Sequence, residues 1–115
     1  MSKGQVSEAD ARNVTAPIST WIDTTSSTAV EWDLSEIGEN PCYLRLFVTG
    51  DLHFFACGAT TGFTLTKADT TGFDDHAGCP VPDGGEYSFV YDPEKPFLRI
   101  MSDSSGGKAY LTKAS

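Results

Sequence analysis

The sequence predicts an all-β fold: an antiparallel β-sandwich or jelly-roll-like barrel of about seven or eight short strands, preceded by an N-terminal arm. Three observations predict it. Apolar side chains alternate with polar ones at period two in several runs. Gly, Pro, Asn and Asp punctuate those runs at short intervals. After residue 16, no stretch repeats its apolar residues with the helical period. The length of 115 residues fits one domain, and 39% hydrophobic with 11% aromatic residues is enough to fill a core.

Residues 1–16 form the arm and residues 17–115 the domain. The arm is polar, with Val6 and Val14 its main apolar side chains, and Glu8 to Arg12 is too short to hold a helix alone. Ile18 to Ile22 is the first strand. In Ala29 to Leu34, the side chains of Val30, Trp32 and Leu34 share one face and Glu31 and Asp33 the other. Ser35 to Pro41 is a loop, broken by Gly38 and Asn40-Pro41. Cys42 to Thr49 and Leu52 to Cys57 are two β-rich runs that the Thr49-Gly50-Asp51 turn predicts to be a hairpin. Leu44, Leu46 and Val48 lie on one face of its first strand, and Tyr43, Arg45, Phe47 and Thr49 on the other. Large apolar groups on both faces predict central strands, or strands whose outer face meets a partner. Tyr43, Phe47 and Phe55, with Val6 and Val14 of the arm, are therefore the candidate partner-contact residues.

Residues 58–85 are irregular, with a short strand expected at Phe63 to Thr66. Loops of this length are often functional. Glu86 to Tyr91 alternates again, Asp92 to Pro96 turns the chain, Phe97 to Met101 returns it, and Ser104 to Gly107 is expected to make a second hairpin into Lys108 to Thr112. Gly84-Gly85 and Gly106-Gly107 are expected to supply positive φ in turns.

Charge narrows the function. Sixteen acids against eight bases give a net charge of -8. Nucleic-acid backbones need clustered Lys and Arg, and anionic membranes need the same, so neither is an expected partner. The opening residues lack the apolar run of about 7–15 residues that a secretory signal requires. Nor does any window approach the roughly 20 apolar residues of a membrane span. Cys42, Cys57 and Cys79 are odd in number and form no C-x-x-C pair. They read as reduced thiols in a chain made in the cytosol. The Asn13-Val14-Thr15 sequon then reads as coincidental.

Catalytic chemistry finds little footing. Nothing resembles a nucleophile elbow, and the glycine pairs do not stand between a strand and a helix as a phosphate loop requires. Asp74, Asp75 and His76, with Cys79 nearby, could ligate a cation. They lack the alternating oxygen ligands of a calcium loop and the third and fourth ligands of a zinc site. A solvated acidic loop is the plainer reading, so no metal and no cofactor is expected, and the chain reads as non-enzymatic. Trp21, Trp32, Tyr87 and Tyr91 could stack on sugars, although strand alternation favours core packing for Trp32.

The run Leu44-Arg45-Leu46 ending in Thr49-Gly50-Asp51, the aromatic return His53 to Gly58, the turn and aromatic strand Pro82 to Phe89, the strand Pro96 to Ile100 and the Gly-rich Ser104 to Leu111 make up a pattern. In strand order and turn chemistry the chain resembles small β-sandwich virion proteins of tailed bacteriophages, of the capsid decoration (cement) type. The resemblance covers residues 18–113 and implies a structural protein on the capsid exterior. Its implied partners are the major capsid protein lattice and itself, as a homotrimer or other homo-oligomer. A head–tail or tail accessory protein and a glycan-binding module are the alternatives.

Overall fold

The computed structural model describes residues 18–67 and 77–113. Its eight strands are β1 (Ile18–Thr24), β2 (Val30–Asp33), β3 (Tyr43–Thr49), β4 (His53–Gly58), β5 (Cys79–Val81), β6 (Glu86–Val90), β7 (Phe97–Ser102) and β8 (Gly107–Lys113). A single 3₁₀ turn, Leu34–Ile37, follows β2 and is capped by Asp33, whose carboxylate accepts the Ser35 N–H at 2.9 Å. Two four-stranded sheets pack together, ordered β1-β8-β3-β6 and β2-β7-β4-β5. The pairings are antiparallel and nested: β1 with β8, β2 with β7, β3 with β6 and β4 with β5. This is one long ribbon folded across itself, which is the jelly-roll arrangement of the β-sandwich. β3 with β8 and β4 with β7 close the sheets laterally.

Period two decides what lies between the sheets. Leu44, Leu46 and Val48 of β3 are at most 1% exposed, and so are Leu98 and Ile100 of β7. Val81, Leu111, Leu34 and Tyr91 complete the same core, with Trp32 packed at its margin. Each fully buried aliphatic side chain contributes about 1.5–3 kcal/mol. A second, smaller cluster of Phe54, Leu65 and Met101 lies apart from it. This explains why β4 is apolar on both faces: Phe55 faces the main core, and Phe54 packs with Leu65 of the loop that follows. Both β3 and β4 are interior strands of their sheets.

The expected hairpins are not formed. β3 and β4 lie in different sheets, and so do β7 and β8, so residues 50–52 and 103–106 are arches that carry the chain between sheets. The side chain of Asp51 holds the two arches together. One carboxylate oxygen accepts the N–H groups of Ser104 and Ser105 at 2.7 and 2.8 Å, and the other accepts that of Leu52 at 2.8 Å. These bonds hold its carboxyl well down, to about 2. Gly107 must be glycine, because a Cβ there would stand 2.1 Å from the Thr49 carbonyl oxygen. Of the two glycine pairs expected to supply positive φ, Gly84 and Gly106 do so and Gly85 and Gly107 do not.

Two further expectations need correction. Phe63 to Thr66 is not a strand; Thr66 makes one isolated bridge to Ala77, and Leu65 is drawn into the smaller core cluster. Strand β6 ends at Val90, one residue early. Tyr91 turns into the core and donates its N–H to the Cys42 carbonyl at 2.8 Å.

Candidate docking face

The outer side of the β1-β8-β3-β6 sheet carries the exposed aromatic residues Trp21, Tyr43 and Phe47. Strand register aligns Trp21 of β1, Tyr110 of β8 and Phe47 of β3 in one row across three adjacent strands. At the usual strand spacing the row is about 10 Å across. Phe47 and Tyr110 have ring centroids 5.9 Å apart and tilted planes. Two rows along, beyond the polar row of Ser19, Thr112, Arg45 and Ser88, Tyr43 stands opposite Val90. Trp21 is 54% exposed, Tyr43 59%, Val90 53% and Phe47 37%. Large apolar groups exposed together on one sheet face are a common feature of contact surfaces.

The charges on this face cancel in pairs. Lys108 Nζ lies 2.8 Å from Asp23 and 4.2 Å from the Trp21 ring centroid, so a cation–π contact and an ion pair share one ammonium. The hydrogen bond to Asp23 pushes the lysine up from its usual range. Arg45 Nε lies 3.4 Å from Glu86 on the neighbouring strand. A molecule of charge -8 thus presents one aromatic sheet face whose strand charges are balanced. Interface centres are depleted of net charge and enriched in aromatic residues in the same way.

The opposite sheet is covered differently. Glu31 and Arg99, cross-strand neighbours on β2 and β7, are 3.1 Å apart, and both are largely buried. Glu31 also accepts the Gly62 N–H at 2.8 Å, while Arg99 lies over the Phe63 ring at 6.0 Å. This clamp draws residues 62 and 63 onto that sheet. Glu31 is thereby engaged by both Arg99 and the Gly62 backbone.

At the arch end of the sandwich His53 is fully buried. Its Nδ1 is 2.8 Å from the Asp51 carbonyl oxygen, and its Nε2 is 2.7 Å from Thr24 Oγ1. If Nδ1 carries the proton, it donates to the carbonyl and Nε2 accepts from the threonine hydroxyl. Both nitrogens are thereby used in joining β1 to the first arch. Among the thiols, burial pushes Cys57 up to about 11, which makes it a poor nucleophile.

The other end of the sandwich holds a cavity of about 360 Å³. Its apolar wall is Trp32, Leu34, Ile37, Leu44 and Leu111, and its polar residues include Ser19, Thr20 and Glu36.

The sequence-predicted contact residues divide. Tyr43 and Phe47 stand on the outer aromatic face. Phe55 does not: it is 5% exposed and packs between Tyr87 and Phe89, each with ring centroids 5.4 Å away. Its alternation places it inside, because β4 belongs to the other sheet and turns that parity toward the core. Val6, Val14, Asp74, Asp75 and His76 lie outside the described residues. Among the described residues, no three His, Cys, Asp or Glu side chains come together as a metal-holding group. Of the proposed sugar-stacking residues, Trp21 is on the outer face, whereas Trp32 borders the core and Tyr91 is buried in it. Tyr87, on the edge strand β6, packs edge-on to Phe55 yet is 41% exposed. Tyr110 was not a sequence candidate. Its parity on β8 is that of Lys108 and Thr112, and this was the available signal. No family model matches the chain, and neither a curated protein nor a solved structure gives a match.

Proposed function

We propose that the chain is a non-enzymatic structural protein of a virion, a capsid decoration protein that binds the assembled head and stabilises it. The carrying observation is the charge-balanced aromatic face of Trp21, Tyr110, Phe47, Tyr43 and Val90 on an acidic molecule. Such a face suits a protein surface, because burying its rings is favourable and leaves no uncompensated strand charge. On this reading it meets the major capsid protein lattice on the capsid exterior, and copies associate as a homotrimer or another closed oligomer. The mechanism is mass action: a ligand that binds only the assembled lattice stabilises it against disassembly. Many weak contacts per particle then act together. The test compares particles carrying the protein with particles lacking it under heat and osmotic shock. The decorated particles should resist both; equal resistance removes the cement role.

A second reading rests on the same row of rings. Three aromatic side chains aligned across neighbouring strands also suit stacking against the apolar faces of a sugar chain. A glycan array with the intact chain and with Trp21→Ala separates the readings. Trp21-dependent glycan retention favours the sugar-binding module, and no retention leaves the protein-lattice reading.

A further inference from the structure

Among the described residues β1, β6, β2 and β5 lie at sheet edges, and two of these edges are blunted. β5 is three residues long and contains Pro80, which has no N–H to offer a neighbour. β2 is four residues long, and its Glu31 holds the Gly62 backbone beside it. β6 has neither device. It is five residues long, without Pro, Gly or Lys, and Glu86, Tyr87, Ser88 and Val90 are all exposed. An edge of that kind is a template for another strand.

The ladder decides which backbone groups are open. Tyr91 donates its N–H to the Cys42 carbonyl, and Val48 donates to that of Gly85. Bonded and non-bonded pairs alternate along an antiparallel ladder, so residues 85, 87, 89 and 91 turn their backbone groups to β3. Glu86, Ser88 and Val90 turn theirs away from the sheet. Among the described residues, β6 pairs with β3 alone, and no backbone hydrogen bond reaches those outward groups.

β6 complements itself. Laid antiparallel against a copy with Ser88 opposite Ser88, it places Glu86 opposite Val90, and every outward N–H meets a carbonyl. A shift of one residue turns the bonding groups away, and a shift of two leaves some unpaired. In the unshifted register Tyr87 stands opposite Phe89 of the copy in a non-bonded pair, where side chains approach closest. Both rings share the parity of the buried Leu44 and Leu46, yet Tyr87 is 41% exposed and Phe89 half-buried. Pairing therefore covers aromatic area that a single chain leaves wet. Glu86 never faces Glu86, and Arg45 already matches it at 3.4 Å.

We infer that β6 is the contact through which two copies of the chain pair, antiparallel, about a two-fold axis at Ser88. Such an isologous contact closes on itself. A strand pair of this length falls below the roughly 1,200 Å² of standard interfaces, so its Kd should lie between about 1 µM and 1 mM. The inference stands apart from the capsid reading, because it concerns the free chain and uses a strand edge, leaving the outer aromatic face open.

Sedimentation equilibrium of the full chain should show monomer and dimer and no larger species, in salt high enough to screen the charge of -8 on each copy. Ser88→Pro removes an N–H that the fold does not use, and Ser88→Lys sets two ammonium groups face to face on the axis. Each should raise Kd by at least about tenfold, while Ser88→Thr keeps the parent value. Amide hydrogen exchange adds a pattern: at higher protein concentration Glu86, Ser88 and Val90 should slow, whereas Tyr87 and Phe89, already bonded to β3, should not change. A chain that stays monomeric up to about 1 mM overturns the inference. So does association lost in Trp21→Ala but kept in both disruptive Ser88 variants, which would put the contact on the aromatic face. Growth beyond the dimer also overturns it, since β6 would then pair with a different edge in an open chain.

Discussion

Leu46 and Phe47 are neighbours on β3, and their truncations should separate the two faces of the docking sheet. Leu46 is 0% exposed and pairs across its strand neighbours with Tyr87 and Leu111. Leu46→Ala removes three buried carbons, a transfer loss of about 2.4 kcal/mol at 0.8 per methylene-sized group. The residual cavity raises the cost to about 3–4 kcal/mol, because β3 is paired on both sides, to β8 and to β6, which limits relaxation. Phe47 is 37% exposed and its main ring contact is with Tyr110. Phe47→Ala should cost about 1 kcal/mol, the value of an aromatic pair with partial area loss. In a domain of this size 1 kcal/mol moves Tm by about 4–5 °C. The expected drops are therefore about 15 °C for Leu46→Ala and about 5 °C for Phe47→Ala. Urea unfolding followed by circular dichroism gives the same ranking through the midpoint, with the slope unchanged. If Phe47→Ala destabilises as much as Leu46→Ala, Phe47 is a core residue and the aromatic face is not a free surface.

Three further outcomes are expected. Asp51 has a carboxyl lowered to about 2 in the fold, against an ordinary value near 3.9. Its contribution is complete above about pH 4 and is lost as pH falls toward 2, because only the charged form holds both arches. Asp51→Asn should therefore lower Tm at pH 6 and converge with the parent near pH 2; a gap that persists at pH 2 contradicts the arch role. Glu31→Ala leaves the largely buried Arg99 without its carboxylate and frees the Gly62 N–H, at a cost of about 1–3 kcal/mol, which denaturant titration would measure. Loss below 0.5 kcal/mol would mean that the clamp is idle. Cys57, raised to about 11 by burial, should have about one thiolate in a thousand at pH 8. Mass-spectrometric mapping of iodoacetamide labelling should find it blocked in the native chain and open in urea; equal rates refute the buried-thiol assignment.

Period two placed Leu44, Leu46 and Val48 together on one face of β3, but which face is buried was not legible, because Tyr43 and Phe47 make the other face apolar as well. The strand count and the sandwich class followed from the same alternation and from the Gly and Pro punctuation. The arches were not legible. Thr49-Gly50-Asp51 carries the turn chemistry of a hairpin, and the choice of an inter-sheet path depends on partners about fifty residues away. Asp51 reaches Ser104 and Ser105, and Gly107 makes room for the Thr49 carbonyl. Misreading that turn is also what put Phe55 on a surface, since the face of β4 that meets the core depends on which sheet it joins. The docking face was half legible. Tyr43 and Phe47 were evident on β3, but Trp21 and Tyr110 join them only through the nested pairing of β1 and β8. Sequence reading could not anticipate that Lys108 would serve both Asp23 and the Trp21 ring, because that contact crosses from the last strand to the first.

The most direct test of the account is the affinity of the chain for assembled heads, measured by co-sedimentation with particles stripped of it. Trp21→Ala and Phe47→Ala are compared with Glu94→Gln, an exposed change in the β6–β7 connection. An aromatic hot spot is worth about 2 kcal/mol, or about thirtyfold in affinity. The account predicts losses of that order for each aromatic variant and none for Glu94→Gln. Occupancy unchanged by both aromatic substitutions would contradict it.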